Sequence, residues 1–195
     1  CEKALQLEPV MDAVLRGMER AGRYHDIRWG LIVCGMRNSP PTLSLKMAEL
    51  AIAFRDRGCV GFDLAGDEFG HPPKEHLDAF YLCQRESFNI TIHAGEAFGV
   101  PSIWQALQYC GAHRIGHGTR LIEDMVIVDD QVLRMGRLAQ YMLDHRVPLE
   151  ICLSSNVQTG AVASLDKPPF RYLLRHKFRI TLNTDNRLMS GTSCT

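Results

Sequence analysis

The most constraining feature of this sequence is a regular alternation of short apolar runs with longer helical patterns. Predicted strands begin near residues 29, 59, 88, 113, 147 and 178, so successive starts lie about 30 residues apart. This period is typical of a parallel sheet with helical crossovers, and eight such units make the usual ~250-residue (β/α)₈ barrel. We therefore predict an α/β fold of the TIM-barrel type. A doubly wound sheet competes, but the GxGxxG turn that usually follows its first strand is absent.

The spacing also predicts how many units the chain holds. Six units account for most of its 195 residues, so we expect an incomplete barrel with about six of eight strands. No linker or low-complexity segment divides it, which predicts a single domain over residues 1–195. The expected helices are 10–22, 44–58 with Ser44 as N-cap and Gly58 as stop, 72–87, one beginning at Pro101, 130–145 and 170–176.

Charge and cysteine content exclude several classes of function. Lys and Arg balance Asp and Glu at 22 each, so nothing electrostatic favours nucleic acid or an anionic membrane as a partner. The apolar stretch 29–36 is far below the roughly 18 residues that span a bilayer, and no secretory leader is visible. The seven cysteines are odd in number and lack CxxC spacing. We expect buried thiols in a reducing compartment, hence a cytoplasmic protein.

Polar side chains follow five consecutive predicted strands. The strand ends read DLAGDE (63–68), HAGE (93–96), GHG (116–118), SSN (154–156) and TDN (184–186). In a barrel, catalytic residues gather where strands end and the following loops begin. Five polar ends in succession are hard to explain by solvation alone, so we predict an active site at this face.

His93 and Glu96 form the first candidate pair. His93 shares a strand face with Thr91 and would point into the barrel mouth, although a hydrogen-bonded core histidine would show the same pattern. Gly95 allows a sharp turn that can aim Glu96 over the strand end. A neutral imidazole suits a divalent metal, and a carboxyl held partly protonated suits a general acid.

His117 and Asp185 complete the set of candidates. His117 lies between two glycines, where a ligand could approach the backbone, or where a turn simply needs positive φ. Asp185 could bind a metal, accept a proton or cap an Asx turn. Apart from Asp63, no other His or Asp is comparably placed, and the other six histidines are expected to be solvated. These residues indicate a metal-dependent hydrolase with too few zinc ligands.

The motifs DLAGDE, TIHAGE, RIGHG, SSNVQTGA and NTDN, in this order, resemble the adenosine deaminase family of the amidohydrolase superfamily. The resemblance covers nearly the whole chain and implies one zinc ion per subunit. It makes His93 the third histidine ligand and Asp185 the aspartate ligand. The family's HxH pair, which supplies two further histidine ligands, is absent from this chain. We therefore expect both histidines upstream of residue 1, and a chain that also stops before the family's C-terminal helices.

The resemblance also implies roles toward a purine nucleoside. Glu96 would protonate purine N1, and His117 would orient, or take a proton from, the zinc-bound water. The Gly66 backbone N–H would meet N3, and the Asn186 amide would donate to N7. Leu153 departs from the proline that the family often carries, which affects a turn.

Three functions stay open at this point. The first is deamination of adenosine or 2′-deoxyadenosine by the intact protein, with the isolated fragment inactive or weak. The second is deamination of adenine, a modified adenine nucleoside or a nucleotide, since Arg114, Arg120 and Arg187 lie near strand ends in sequence and could bind phosphate. The third is a binding protein that kept the barrel and lost the metal. The expected partner is a small-molecule purine nucleoside substrate.

Overall fold

Six parallel strands follow one another in chain order, each joined to the next by a segment that contains a helix. The computed structural model describes residues 5–166 and 169–193. The strands and helices are α1 (Leu7–His25), β1 (Leu31–Met36), α2 (Pro41–Ala53), β2 (Cys59–Ala65), α3 (Leu77–Arg85), β3 (Thr91–Ala94), α4 (Val100–Gln108), β4 (Arg114–His117), β5 (Met125–Val128), β6 (Gln131–Met135), α5 (Arg137–Asp144), β7 (Leu149–Ile151), α6 (Leu153–Gln158), α7 (Phe170–Arg175), β8 (Ile180–Leu182) and α8 (Arg187–Ser190).

The sheet has the strand order of a (β/α)₈ barrel. β1 pairs in parallel with β2, and a bridge from Phe62 to Ile90 continues the sheet to β3. From there β3, β4, β7 and β8 pair in parallel as neighbours. Consecutive parallel strands with helices between them confirm the predicted incomplete barrel. In the described part of the chain β1 and β8 do not pair with each other, so the sheet is open there.

The core lies between the sheet and its helices. Phe62 of β2 packs against Phe80 of α3, with ring centroids 5.8 Å apart, and both side chains are buried. Isoleucine and leucine side chains of β3, β4 and β7 extend this layer. Cys59, Cys83 and Cys110 are buried thiols in the same core, as expected, whereas Cys34 is exposed although it lies in the apolar run of β1. Cys1 and Cys194 lie outside the described residues.

The predicted helix over 130–145 is wrong in its first half. A β-hairpin of β5 and β6 occupies 125–135, and only Arg137–Asp144 is helical. Asp129 and Asp130 both have positive φ, 48° and 62°, as a tight hairpin turn requires at two successive residues. Three side chains of α7 then hold Asp130: Arg171, Tyr172 and Arg175. These contacts come from a segment more than 40 residues away, so local periodicity could not reveal them.

Helix boundaries show smaller differences. Ser44 is not an N-cap, because Pro41 begins α2 and Ser44 is buried in its first turn, against Gly35. Proline at this position has the φ of a helix and no N–H to leave unpaired. The helix ends at Ala53, five residues before the predicted stop, and Gly58, with φ 102°, instead ends a 3₁₀ turn over Arg55–Arg57. The longest described helix is α1, with 19 residues, and no helix in the described part of the chain has both the length and the apolar character to cross a membrane.

Candidate active site

The carboxyl ends of β3 and β4 place three of the predicted residues together. Ala94 pairs with His117 across the two strands, so the residues that follow β3 lie beside the end of β4. The His93 and His117 ring centroids are 5.0 Å apart, and His117 Nε2 lies 3.7 Å from Glu96 Oε2. Parallel strands bring these side chains to one edge, although the chain separates them by up to 24 residues.

Asp63, at the end of β2, orients the His93 ring. His93 Nδ1 lies 2.8 Å and 3.1 Å from the two carboxylate oxygens of Asp63, which is buried and also accepts from the Cys34 thiol. Burial lowers the pKa of His93, but the charge and hydrogen bond of Asp63 outweigh it and raise the pKa to about 9. Because Nδ1 donates to Asp63, Nε2 is the nitrogen left to bind a metal. This is the usual carboxylate–histidine arrangement behind a metal ligand.

Glu68 holds the loop that carries Glu96. Its carboxylate accepts four successive backbone N–H groups, from residues 95 to 98, at 2.6, 2.9, 2.6 and 3.1 Å. Gly95, with φ 78°, allows this turn, and a Cβ there would lie 2.5 Å from Ile103 Cδ1. Burial raises the pKa of Glu68, yet the nearby Ser102 hydroxyl and the hydrogen bonds from the loop N–H groups outweigh it and hold the pKa below its usual value. Glu68 is therefore an ionised, buried carboxylate.

His117 is buried, 2% exposed, in a left-handed backbone conformation with φ 63°. Its Nδ1 lies 2.9 Å from the amide nitrogen Nδ2 of Asn156. An amide nitrogen only donates, so Nδ1 accepts and the ring proton of a neutral His117 is on Nε2. Burial lowers the pKa of His117 below its ordinary value and so favours this neutral form. A strained backbone at a polar, buried position is typical of functional sites.

The glycines on either side of His117 allow close packing, and Gly118 has the positive φ of the turn that the sequence offered beside ligand approach. A Cβ at Gly116 would lie 3.2 Å from the His93 Cα and 3.3 Å from its ring carbon Cγ. At Gly118, where φ is 63°, a Cβ would lie 2.4 Å from Leu149 Cδ2. The left-handed turn at the end of β4 is therefore formed by His117 and Gly118, which both have positive φ.

The β8 end of the site is exposed. Asp185 has φ 56°, and its Oδ2 accepts from the Ser155 hydroxyl at 2.7 Å. Burial raises the pKa of Asp185, but the Ser155 hydrogen bond and the nearby His117 and His93 outweigh it and lower the pKa. Asn186 caps α8, since its Oδ1 accepts the N–H groups of residues 188 and 189. This use of the oxygen leaves the Asn186 amide nitrogen as the group that could meet a substrate.

The remaining predicted residues are placed as follows. Gly66 lies at the exposed end of β2, with φ 98°, beside Met36. His76, expected to be solvated, is instead buried, and its Nε2 lies 3.2 Å from the Arg37 carbonyl. The end of β2 and the segment that follows it therefore pack against β1 and Arg37.

The comparisons with known proteins identify the family. Residues 1–195 match the sequence model described as "Adenosine deaminase". The chain belongs to the adenosine deaminase family. It is 53% identical to "Adenosine deaminase 1" of Streptomyces coelicolor over 98% of this chain and 49% of that protein. It is 52% identical to "Adenosine deaminase" of Mycobacterium marinum over 98% of this chain and 54% of that protein. The chain thus spans about half the length of these curated relatives.

Solved structures agree with the barrel fold. The N6-methyl-AMP deaminase from Arabidopsis thaliana is 29% identical, with a TM-score of 0.69 over 84% of this chain and 44% of that one. The adenine deaminase from Arthrobacter aurescens has a TM-score of 0.83 over 96% of this chain and 54% of that one. At 24% identity, the latter similarity shows the fold alone.

The donor set of this adenosine deaminase family member fits zinc. Imidazole nitrogen and carboxylate oxygen are usual zinc ligands, and the Asp63 hydrogen bond leaves His93 Nε2 for a metal. Ligand atoms of His117, Cys152 and Asp185 also lie within 4.8 Å of one another. His93 Nε2 and the Asp185 carboxylate are donor atoms of the kind that bind zinc, and a catalytic zinc requires at least three protein ligands.

Four residues at the site have functions that the sequence did not assign. Glu68, Asn156 and Thr159 belong to the quoted motifs, so motif membership is the available signal for these three residues. Arg37 is a charge that ends an apolar strand; it is buried and donates to the carbonyls of His71 and His93. The Thr159 hydroxyl donates to Glu96 at 2.8 Å, a contact that no local pattern indicates.

Proposed function

We propose that the full-length protein hydrolyses adenosine or 2′-deoxyadenosine to inosine or 2′-deoxyinosine and ammonia, as a zinc-dependent enzyme. The observation that carries this proposal is the position of the Glu96 carboxyl against the buried imidazole of His117, at the strand edge where Asp63 orients His93. Residues 1–195 would form part of one barrel domain. We assign the protein to the cytoplasm because its buried thiols are suited to a reducing compartment.

His93 and Asp185 would hold the zinc ion, together with two histidines expected from outside this chain. When bound, the zinc would lower the pKa of a water molecule to about 7 and so supply hydroxide near neutral pH. Asp63 keeps the proton of His93 on Nδ1, which leaves Nε2 for the metal. Ser155 donates to one oxygen of Asp185 and thereby limits the orientations that this carboxylate can adopt.

Glu96 would act as the general acid. As an oxygen nucleophile adds to purine C6, the ring electrons move to N1, and the Glu96 carboxyl proton is transferred there. The C6–N6 bond then breaks: the amine takes up the proton of the added hydroxyl group and leaves as ammonia, and the C6 oxygen becomes the carbonyl of inosine. The Nε2–H of neutral His117 points into the same space as Glu96 Oε2, so it can donate to the attacking oxygen and orient it.

Two of the three arginines near the strand ends, Arg114 and Arg120, favour a nucleoside over a nucleotide, while Arg187 begins α8 and is exposed. Arg114 begins β4, at the opposite end from His117, and forms an ion pair with Glu150. Arg120 pairs with Glu123 at 2.6 Å and donates to the Ala97 carbonyl at 2.9 Å. Both guanidinium groups therefore have protein partners already. The joint presence of candidate acid, histidines and aspartate argues against a protein that only binds.

A deamination assay tests the proposal. The protein is expressed from its complete reading frame, loaded with zinc, and followed by the ultraviolet change from adenosine to inosine. Adenine, AMP and N6-methyl-AMP are assayed in parallel. We expect the highest kcat/KM for adenosine and 2′-deoxyadenosine, and a loss of about 10²- to 10⁴-fold in kcat for Glu96→Gln.

Two results would reject parts of the proposal. Absence of turnover with every adenine compound would reject the enzyme, and a preference for AMP would reject the nucleoside. Near-normal activity of Glu96→Gln would reject Glu96 as the acid. Glu49→Gln is the matched control, because Glu49 is exposed on α2.

A further inference from the structure

The two carboxyl oxygens of Glu96 have different surroundings. Oε1 accepts from the Thr159 hydroxyl at 2.8 Å and lies 3.2 Å from Asn156 Nδ2. Oε2 lies 3.7 Å from His117 Nε2. Both donors reach Glu96 from α6 and the residue that follows it, about 60 residues further along the chain.

From this asymmetry we propose that Thr159 and Asn156 are positioning residues that keep the acidic proton of Glu96 on Oε2. A proton on Oε1 would face the Asn156 amide nitrogen, which can only donate, and would turn the Thr159 hydroxyl hydrogen toward the Asn156 carbonyl, 3.5 Å away. A proton on Oε2 leaves Oε1 free to accept from both groups, and the nearest donor to Oε2, His117 Nε2, lies beyond hydrogen-bond distance at 3.7 Å. The proton is thereby held on the oxygen that faces His117. This inference rests on the proposed function, in which Glu96 protonates the substrate.

The orientation of the Asn156 amide supports this assignment. Asn156 is 1% exposed, and its Nδ2 group lies between Glu96 Oε1 and His117 Nδ1, at 3.2 and 2.9 Å. A rotation of the amide by half a turn would place the Asn156 oxygen beside Glu96 Oε1, and two hydrogen-bond acceptors would then face each other. The single amide therefore donates to the acid and also sets the tautomer of His117.

The backbone of Glu96 is held from the opposite side. Its N–H donates to Glu68 at 2.9 Å, within the row of amides that the Glu68 carboxylate accepts. Thr159 is itself fixed at the end of α6, where its N–H donates to the Ser155 carbonyl. With backbone and Oε1 both anchored, little freedom remains for Oε2 to move away from the reacting ring.

Thr159 provides the sharper test because its side chain is exposed at a helix end, where substitution has little effect on stability. Thr159→Val keeps the shape and removes the hydroxyl, and Thr159→Ser keeps the hydroxyl. In the full-length zinc enzyme we expect Thr159→Val to lower kcat for adenosine about tenfold, with KM within about twofold of wild type. Thr159→Ser should restore most of kcat. Thr192→Val is the matched control, since Thr192 contacts α6 through Ser154 and lies away from Glu96.

A binding measurement separates proton placement from general damage to the pocket. 1-Deazaadenosine has a C–H group in place of N1 and cannot take the proton. Its dissociation constant, measured by calorimetry, should therefore be the same for wild type and Thr159→Val, and zinc content should also be equal. Asn156→Asp places an acceptor beside Oε1, and we expect a larger fall in kcat than for Thr159→Val.

The outcomes that overturn the inference are distinct from failure of the proposed function. Wild-type turnover together with an unchanged kcat for Thr159→Val overturns the role of Thr159 alone. Equal losses of kcat and of 1-deazaadenosine affinity show that Thr159 shapes the pocket and does not place the proton. Absence of deamination by the wild-type enzyme overturns the proposed function, and this role with it.

Discussion

The two sides of the candidate site differ in how their side chains are held. At the β3–β4 side, His117 is buried, Glu96 takes hydrogen bonds from Thr159 and Asn156, and Glu68 binds the loop between them. At the β8 side, Asp185 and Asn186 are exposed. Side chains that are already held by hydrogen bonds in a buried setting lose little conformational entropy when they adopt the reactive geometry. Preorganisation is therefore concentrated at the β3–β4 side. The predictions below test that difference.

The largest effect is expected from Glu68→Gln at the β3–β4 side. Glutamine has one acceptor oxygen for four backbone N–H groups, and it loses the charge that strengthens these bonds. We expect the free energy of unfolding, measured by chemical denaturation, to fall by about 2–3 kcal/mol. Turnover should fall as well, because the loop carries Glu96. A loss no greater than that of the exposed control Glu49→Gln would show that Glu68 does not hold the loop.

The same variant predicts a change in acid sensitivity. The pKa of Glu68 is lowered from 4.5, so its contribution to stability is present above that pH and is lost as pH falls through the folded-state pKa. Wild type should therefore lose more stability on acidification below pH 4.5 than Glu68→Gln does. Free energies of unfolding that fall by the same amount in both proteins on acidification would contradict this prediction.

Asp63→Asn should have the next largest effect, on metal affinity. An asparagine can accept from His93 Nδ1 but lacks the charge that makes the imidazole more basic. Loss of such a partner typically costs about 10- to 100-fold in metal affinity. Competition with a chelator in the full-length protein measures the zinc dissociation constant. An unchanged zinc dissociation constant would show that Asp63 does not support metal binding.

Ser155→Ala tests the corresponding support on the β8 side. Ser155 donates to Asp185 with a neutral hydroxyl, and Asp185 is exposed to water that can replace this bond. We expect zinc affinity to fall by less than about tenfold, the lower end of such effects. A greater loss than that of Asp63→Asn, in the same chelator competition, would reverse the comparison between the two sides.

The smallest effect on stability is expected at Asn186. Asn186→Ala removes the cap of the four-residue helix α8, which should cost no more than about 1 kcal/mol. Asn186→Asp keeps a capping oxygen but has no amide hydrogen for purine N7. If the amide contacts the substrate, KM for adenosine rises in both variants while only Asn186→Ala loses the cap. An unchanged KM in Asn186→Asp would leave capping as its sole function.

The strand–helix order was predictable because each strand is a short apolar run with its own turn signals. The error at 130–145 arose where one segment carries both periodicities, with a hairpin in its first part and a helix from Arg137. Long-range bonds to Asp130 favour the hairpin. The N-cap prediction for Ser44 is wrong because the helix begins three residues earlier, at Pro41.

Local pattern sufficed for the alternation of strands and helices, the polar strand ends and the motifs that resemble the family. It could not show that Glu68 binds the Glu96 loop from 28 residues away, or that Asn156 and Thr159 reach the same carboxyl across 60 and 63 residues. Such contacts depend on the register of neighbouring strands and on where α6 packs. That is why position along the chain indicates the candidate acid, whereas packing gives its two carboxyl oxygens different surroundings.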